Sequence, residues 1–232
     1  MNRKKILVLD VETCNDLDYP LVYDIGFAVT DKYGKIYEKQ SFIIYETFVC
    51  EKVLMNSCYY AAKIPKYEKQ IKAGLSKLVT WWTAWRTIQD IMEKYGITTV
   101  AAYNCYFDRK ALNTTMRFLT KSKYRYFFNK KIKFICIWHM ACQVLYTQKT
   151  FIQWALKNGF TSPTGNIMTS AEIGWRYHTG QLDFEEEHQG LQDVEIEVQI
   201  MKRCFQQHKK MNQNINRLCW KIPQKRKKEI GF

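Results

Sequence analysis

The sequence predicts an α/β domain built on a mixed β-sheet with helices on its faces, and two features of the chain carry that expectation. Near the start, three short apolar or alternating segments follow one another through tight turns, the pattern of an antiparallel meander. After about residue 80, strand-like and helix-like segments alternate, the pattern of strands joined by crossover helices.

Lys5–Asp10 reads as a buried strand through its Ile-Leu-Val-Leu run, and Tyr23–Thr30 as a second. Asp31 to Gly34 supply turn residues that lead into a third strand at Ile36–Tyr45. Thr80–Tyr95 has helical spacing and stops before Gly96, a residue suited to ending a helix. Thr98–Tyr103 reads as a strand, Asp108–Leu119 as a helix, Phe134–Ile137 as a short strand and Met140–Tyr146 as the helix that follows it. Further helices are expected at Phe151–Asn158, Thr169–His178 and Gly190–Gln207, with a loop at 161–166. Trp81, Trp82 and Trp85 fall within one helix and are read as packing groups.

A chain of 232 residues is long enough to bury a substantial core as one domain. Residues 1–210 are assigned to that domain and 211–232 to a basic C-terminal tail, because Lys225–Lys228 is an unbroken run of charge. The 36 Lys and Arg against 22 Asp and Glu leave a formal net charge of +14, which suits a polyanionic partner such as nucleic acid. The distribution is uneven: no acid falls between Asp108 and Glu172, where eleven Lys or Arg occur, and ten more lie in the acid-free run from Val198 to Lys228.

The eight cysteines form no CxxC pair and no zinc-like spacing, so free thiols in a reducing compartment are expected. The apolar run after the basic start ends at Asp10, too short for a signal h-region or a membrane span, and a cytoplasmic protein without membrane contact is expected. Neither a glycine-rich phosphate loop nor an internal repeat is present.

Candidate chemistry lies in three places. Asp10 and Glu12 stand two apart at a strand end, so both side chains leave one face of the sheet, and two such carboxylates repel unless a cation lies between them. Asp108 opens a helix directly after a strand, where a sheet-derived site would receive another carboxylate; complementing the helix dipole is the structural alternative. His188 and Asp193 flank Gly190 at the start of a long helix, whose entry can bring an imidazole and a carboxylate to one cavity. The acids Asp183, Glu185, Glu186 and Glu187 read as a solvated loop, with an upward pull on the His188 pKa as the alternative.

In order along the chain, Leu9-Asp10-Val-Glu12-Thr13, Asp24-Ile-Gly26, Asn104-Cys-Tyr-Phe107-Asp108 and His188-Gln-Gly-Leu191-Gln-Asp193 resemble the motifs of the DEDDh exonucleases. That family includes RNase T, oligoribonuclease and polymerase proofreading subunits. The resemblance runs from Asp10 to about Lys202 and implies a ribonuclease H-like fold, with 1–210 as the exonuclease domain. It implies that Asp10, Glu12, Asp108 and Asp193 are metal-site acids, that His188 is the general base, and that Asp24 is structural. Departures occur at Cys14-Asn15, where the family often has Thr-Gly, and at Tyr103, where it often has His.

Oxygen-only ligands suit Mg²⁺ or Mn²⁺, and two ions per site are expected. By resemblance, Asp10 bridges both, Glu12 and Asp193 complete one site, and Asp108 supports the other mainly through water. The implied reaction is 3′→5′ hydrolysis of single-stranded nucleic acid, DNA ahead of RNA, releasing 5′ mononucleotides. Substrate contacts are expected from Thr13, Asn104 and Phe107 near the acids, and from Lys121, Lys123 and Arg125 in a basic stretch interleaved with aromatics. The alternatives are an inactive nucleic-acid-binding module and a phosphodiesterase for very short oligonucleotides; a polymerase or a second copy of the chain is left open as partner.

Overall fold

Six strands form one sheet in the computed structural model of the chain, which describes residues 3–232. They are β1 (Ile6–Cys14), β2 (Leu21–Thr30), β3 (Ile36–Ile44), β4 (Lys77–Val79), β5 (Thr99–Ala102) and β6 (Lys133–Cys136), in the order β4-β3-β2-β1-β5-β6. The first three pair antiparallel, whereas β4 joins β3, β5 joins β1 and β6 joins β5 in parallel, so the expected mixed sheet is present. The turn at Asp31 closes with the Gly34 amide donating to the Asp31 carbonyl at 2.9 Å, while the Asp31 carboxylate accepts from the Tyr33 amide at 2.9 Å.

Around the sheet lie the helices α1 (Tyr45–Phe48), α2 (Lys52–Asn56), α3 (Ile64–Lys72), α4 (Trp81–Lys94), α5 (Cys105–Thr120), α6 (Ile137–Val144), α7 (Lys149–Lys157), α8 (Ala171–Thr179), α9 (Gly190–Gln206) and α10 (Lys221–Glu229). Every residue of β2 is buried, because this strand is flanked by β1 and β3 and covered on both faces. On β1 the side chains alternate between two cores. Ile6 and Val8 join the cluster that holds residues of α6, α8 and α9, whereas Leu7, Leu9 and Val11 join the cluster of α4 and α5. The same alternation places Asp10 and Glu12 in line with Ile6 and Val8, on the α9 side.

The strand carrying these acids runs four residues past Asp10, since Val11 and Cys14 also find buried positions; its pairing with β2 shifts register between Glu12 and Thr13. Helix α5 starts at Cys105, not Asp108, which puts Asp108 one turn inside the helix. The α1–α3 region and β4 have no counterpart in the sequence expectation.

Residues 211–232, expected as a basic tail, pack onto the domain. The Cys136 amide donates to the Gln213 carbonyl at 2.8 Å, and the Asn212 amide donates to Gln143 Oε1 at 2.9 Å. In α10 the side chain of Gln224 is buried and bonds both the amide (2.8 Å) and the carbonyl (3.0 Å) of Ile167. The Lys225–Lys228 run conceals this anchorage, because buried Cys219, Pro223 and Gln224 stand just before it. All eight cysteines are free and seven are buried. Among the described residues, no helix is long and apolar enough to cross a membrane.

Candidate active site

Helix α9 crosses the sheet at the end of β1, and two glycines make the crossing possible. A Cβ placed on Gly26 of β2 would lie 1.9 Å from the Gly190 carbonyl carbon, so the first turn of α9 rests directly on sheet backbone. Asp24, almost fully buried, secures the contact: its Oδ2 accepts from the Gly190 amide at 3.0 Å and from the Tyr67 hydroxyl at 2.9 Å, and its Oδ1 from the Ser41 hydroxyl at 3.1 Å. All three donors satisfy a carboxylate that has no cationic partner among the described residues, in keeping with a structural part. Asp193, three residues into α9 from Gly190, is thereby held against the β1 acids.

Asp10 keeps a partly open face, while Glu12, Asp108 and Asp193 are buried. Burial holds all four above the usual carboxylate range, and repulsion between acids adds to it for Asp10, Glu12 and Asp193. Glu12 is pushed up to about 9, by desolvation first and then by Asp193 and Asp24; Asp193 to about 8, by desolvation and Glu186; and Asp108 to about 7, by desolvation. Asp10 is raised strongly, by desolvation and then by Glu197, Asp108, Glu12 and Asp193. Asp193 Oδ1 is buried without a hydrogen-bond partner. A crowded set of buried acids with an unpaired oxygen has the character of a cation site, because neutral packing would leave each charge uncompensated. Glu12, His188 and Asp193 offer ligand atoms that all lie within 4.8 Å of one another.

His188 stands just before α9 in a left-handed conformation, φ 47°. Its ring stacks on Tyr60 with centroids 4.5 Å apart and planes 20° apart. Burial first, and Lys63 second, lower its pKa, and the acid acting against them is Glu172. The 183–187 acids are not among the groups that raise it. Those acids act elsewhere: the side chain of Glu187 pairs with Lys66 at 2.6 Å, and half-buried Glu186 raises Asp193. Around the imidazole opens a cleft of about 570 Å³ bordered by Tyr60, Lys63, Lys66, Arg176 and Glu186. Tyr60 and Lys63 were not signalled by the sequence, since they stand in a region with no motif and no clear periodicity; the charge of Lys63 is felt by both Glu12 and Asp193.

The expected substrate contacts divide into two groups. Thr13 is half-buried beside Glu12, Asn104 is exposed at the N-terminus of α5 with its side chain free of capping, and Phe107 is half-buried next to Asp108. Lys121, Lys123 and Arg125 follow the far end of α5, thirteen or more residues from Asp108, so Lys121 is about 20 Å away along the helix. They are not brought to the carboxylates. Tyr103 is also no site contact: its buried hydroxyl bonds the Tyr146 hydroxyl and the Thr169 carbonyl, each at 2.6 Å.

No family model matches the chain, and no curated protein matches it in sequence. Among solved structures it is similar to cell-death related nuclease 4 (CRN-4), with a TM-score of 0.56 and 14% identity over 88% of this chain. The match spans 64% of the CRN-4 chain. It is also similar to E. coli Exonuclease I solved with an oligonucleotide, with a TM-score of 0.49 and 14% identity over 85% of this chain and 39% of that one. At such identities the likeness is one of fold.

Proposed function

We propose that this chain is a metal-dependent 3′→5′ exonuclease that trims single-stranded nucleic acid, DNA ahead of RNA, and releases 5′ mononucleotides. The observation that carries the reading is that Glu12, Asp193 and His188 offer ligand atoms within 4.8 Å of one another, while Asp10, two residues before Glu12 on β1, feels the charges of Asp108, Glu12 and Asp193. The fold it shares with a nuclease supports the same reading.

Asp10, Glu12, Asp108 and Asp193 would hold Mg²⁺ or Mn²⁺ ions, as their oxygen-only donors suit these hard cations. When bound, two such ions activate the attacking water and stabilise the leaving 3′ oxygen. His188 accepts the proton of that water. Its lowered pKa keeps the ring neutral, and hence able to accept, at neutral pH. Tyr60 fixes the plane of the ring, and the ammonium of Lys63, at the mouth of the cleft, supplies positive charge where a phosphate would enter. Asn104, Phe107 and Thr13, beside the acids, are the contacts proposed for the terminal nucleotides.

Polarity tests the reading. A single strand labelled at its 5′ end should give, with Mg²⁺, a descending ladder of labelled products. Immediate release of a labelled mononucleotide would instead mean attack from the 5′ end.

The remote basic groups lead to a length-dependent expectation. At about 3.4 Å per nucleotide, a strand seated at Asp108 must be about six nucleotides long to reach Lys121. Replacing Lys121, Lys123 and Arg125 together by Ala should weaken binding of a 20-mer and lower the slope of its log affinity against log salt by about 2, because three single-strand phosphate contacts release fewer counterions. A tetramer should bind unchanged. An unaltered 20-mer slope, measured with catalysis blocked by chelation, would show these three side chains to be solvated surface.

A further inference from the structure

Glu197 follows Asp193 by one turn of α9 and therefore lies on the same face of that helix. Only 3% of it is exposed, less than Glu12, Asp108 or Asp193. A glutamate in mid-helix ordinarily turns to water, and a buried one is expected to find an Arg, a Lys or several donors. Among the described residues, no Lys or Arg forms an ion pair with Glu197, and its Oε2 is buried with no hydrogen-bond partner, as is Asp193 Oδ1. Of the charges acting on Asp10, that of Glu197 is the strongest, ahead of Asp108, Glu12 and Asp193; Glu197 in turn is acted on first by Asp108 and then by Asp193. Asp193, one turn before it on that face, offers an oxygen within 4.8 Å of one of Glu12, so Glu197 follows on the helix face turned to the β1 acids.

Resting on the proposal that this cavity is a divalent-cation centre, we infer that Glu197 is a fifth carboxylate ligand of that centre, on the side of Asp10 and Asp108. Without it, Asp10 and Asp108 would be the only protein oxygens assigned to the second ion. Glu197 supplies a direct ligand there, and the two unpartnered oxygens on α9, Asp193 Oδ1 and Glu197 Oε2, then serve the two ions from successive turns of one helix.

The test is calorimetric titration of Mn²⁺, without nucleic acid, into the metal-free full-length chain and into two variants whose folding is checked by circular dichroism. Glu197→Gln keeps the shape of the side chain without its charge, while Glu197→Asp keeps the charge but withdraws it by one methylene. Wild type should show two binding events, and both variants should weaken one of them by about 10–100-fold, the range seen when support of a metal centre is removed. A merely structural, protonated Glu197 predicts that Glu197→Gln binds Mn²⁺ as wild type does, and that result overturns the inference while leaving the nuclease reading intact. Should Glu197→Gln fail to fold, wild-type affinity in Glu197→Asp overturns it instead. A wild-type chain that binds no Mn²⁺ would remove the cation centre itself.

Discussion

Asp10→Asn is expected to lower turnover by on the order of 10⁴-fold while making the metal-free protein more stable. The two effects come from one cause. Asp10 is acted on by Glu197, Asp108, Glu12 and Asp193 together, so it is the acid through which a cation would relieve the most repulsion, and its loss removes the centre of the proposed site. Without a cation the same crowding is a burden. Groups such as Glu12, pushed up to about 9, Asp193, to about 8, and Asp108, to about 7, ionise near 4 in an unfolded chain. Between those limits the folded chain binds more protons than the unfolded one, so metal-free stability is greatest at the acid end of the window and falls as pH rises through it. The amide of Asn carries no charge to repel. At pH 8 its metal-free melting temperature should exceed that of wild type, each 1 kcal/mol gained corresponding to about 2–4 °C at this chain length. Near-normal turnover in a folded Asp10→Asn protein would remove Asp10 from the mechanism.

A second large effect is expected from Gly26→Ala, which adds one methyl group. The new Cβ would lie 1.9 Å from the Gly190 carbonyl carbon and 2.1 Å from its oxygen, both backbone atoms that no rotamer change can clear. Helix α9 must then lift from β2, breaking the Asp24–Gly190 bond and drawing Asp193 away from Glu12. Overpacking against backbone should cost on the order of 3 kcal/mol. The melting temperature should fall by about 6–12 °C, and activity should fall even in the fraction that remains folded. Thermal unfolding followed by circular dichroism would show it; a melting temperature within 1–2 °C of wild type would mean that β2 and α9 do not meet as described.

Much of this was legible in the sequence, and the physical reasons differ from element to element. The first three strands and α4 to α9 announce themselves because each spans enough residues to repeat its period, with Gly96 and the 161–166 loop marking breaks. Asp10, Glu12, Asp108, His188 and Asp193 were nominated by their motifs, since a strand end, a helix start and a glycine-flanked helix entry are places where side chains can converge, and the structure brings Glu12, His188 and Asp193 within 4.8 Å of one another. Other parts left little trace. Glu197 reads from sequence as one more polar position on a helix, and only the packing of α9 on β1 turns it inward. Tyr60 and Lys63 lie among short helical pieces and meet His188 across 125 or more residues of chain, which no local pattern encodes. The Lys225–Lys228 run suggested a solvated end because charge dominates its composition, yet Gln224, its immediate neighbour, holds α10 to the Ile167 backbone.

The central claim, that the carboxylate cavity hydrolyses phosphodiester bonds with a divalent cation, is tested most directly by one time course. A single-stranded DNA labelled at its 5′ end is incubated with the wild-type chain stripped of metal, then with excess Mg²⁺, then with EDTA, and Asp10→Asn serves as the blank. The expected result is no product from the stripped protein, a ladder that lengthens with time once Mg²⁺ is added, an arrest on chelation, and an unchanged strand with the variant. Hydrolysis that continues at full rate in excess EDTA, or an equal ladder from Asp10→Asn, would contradict it.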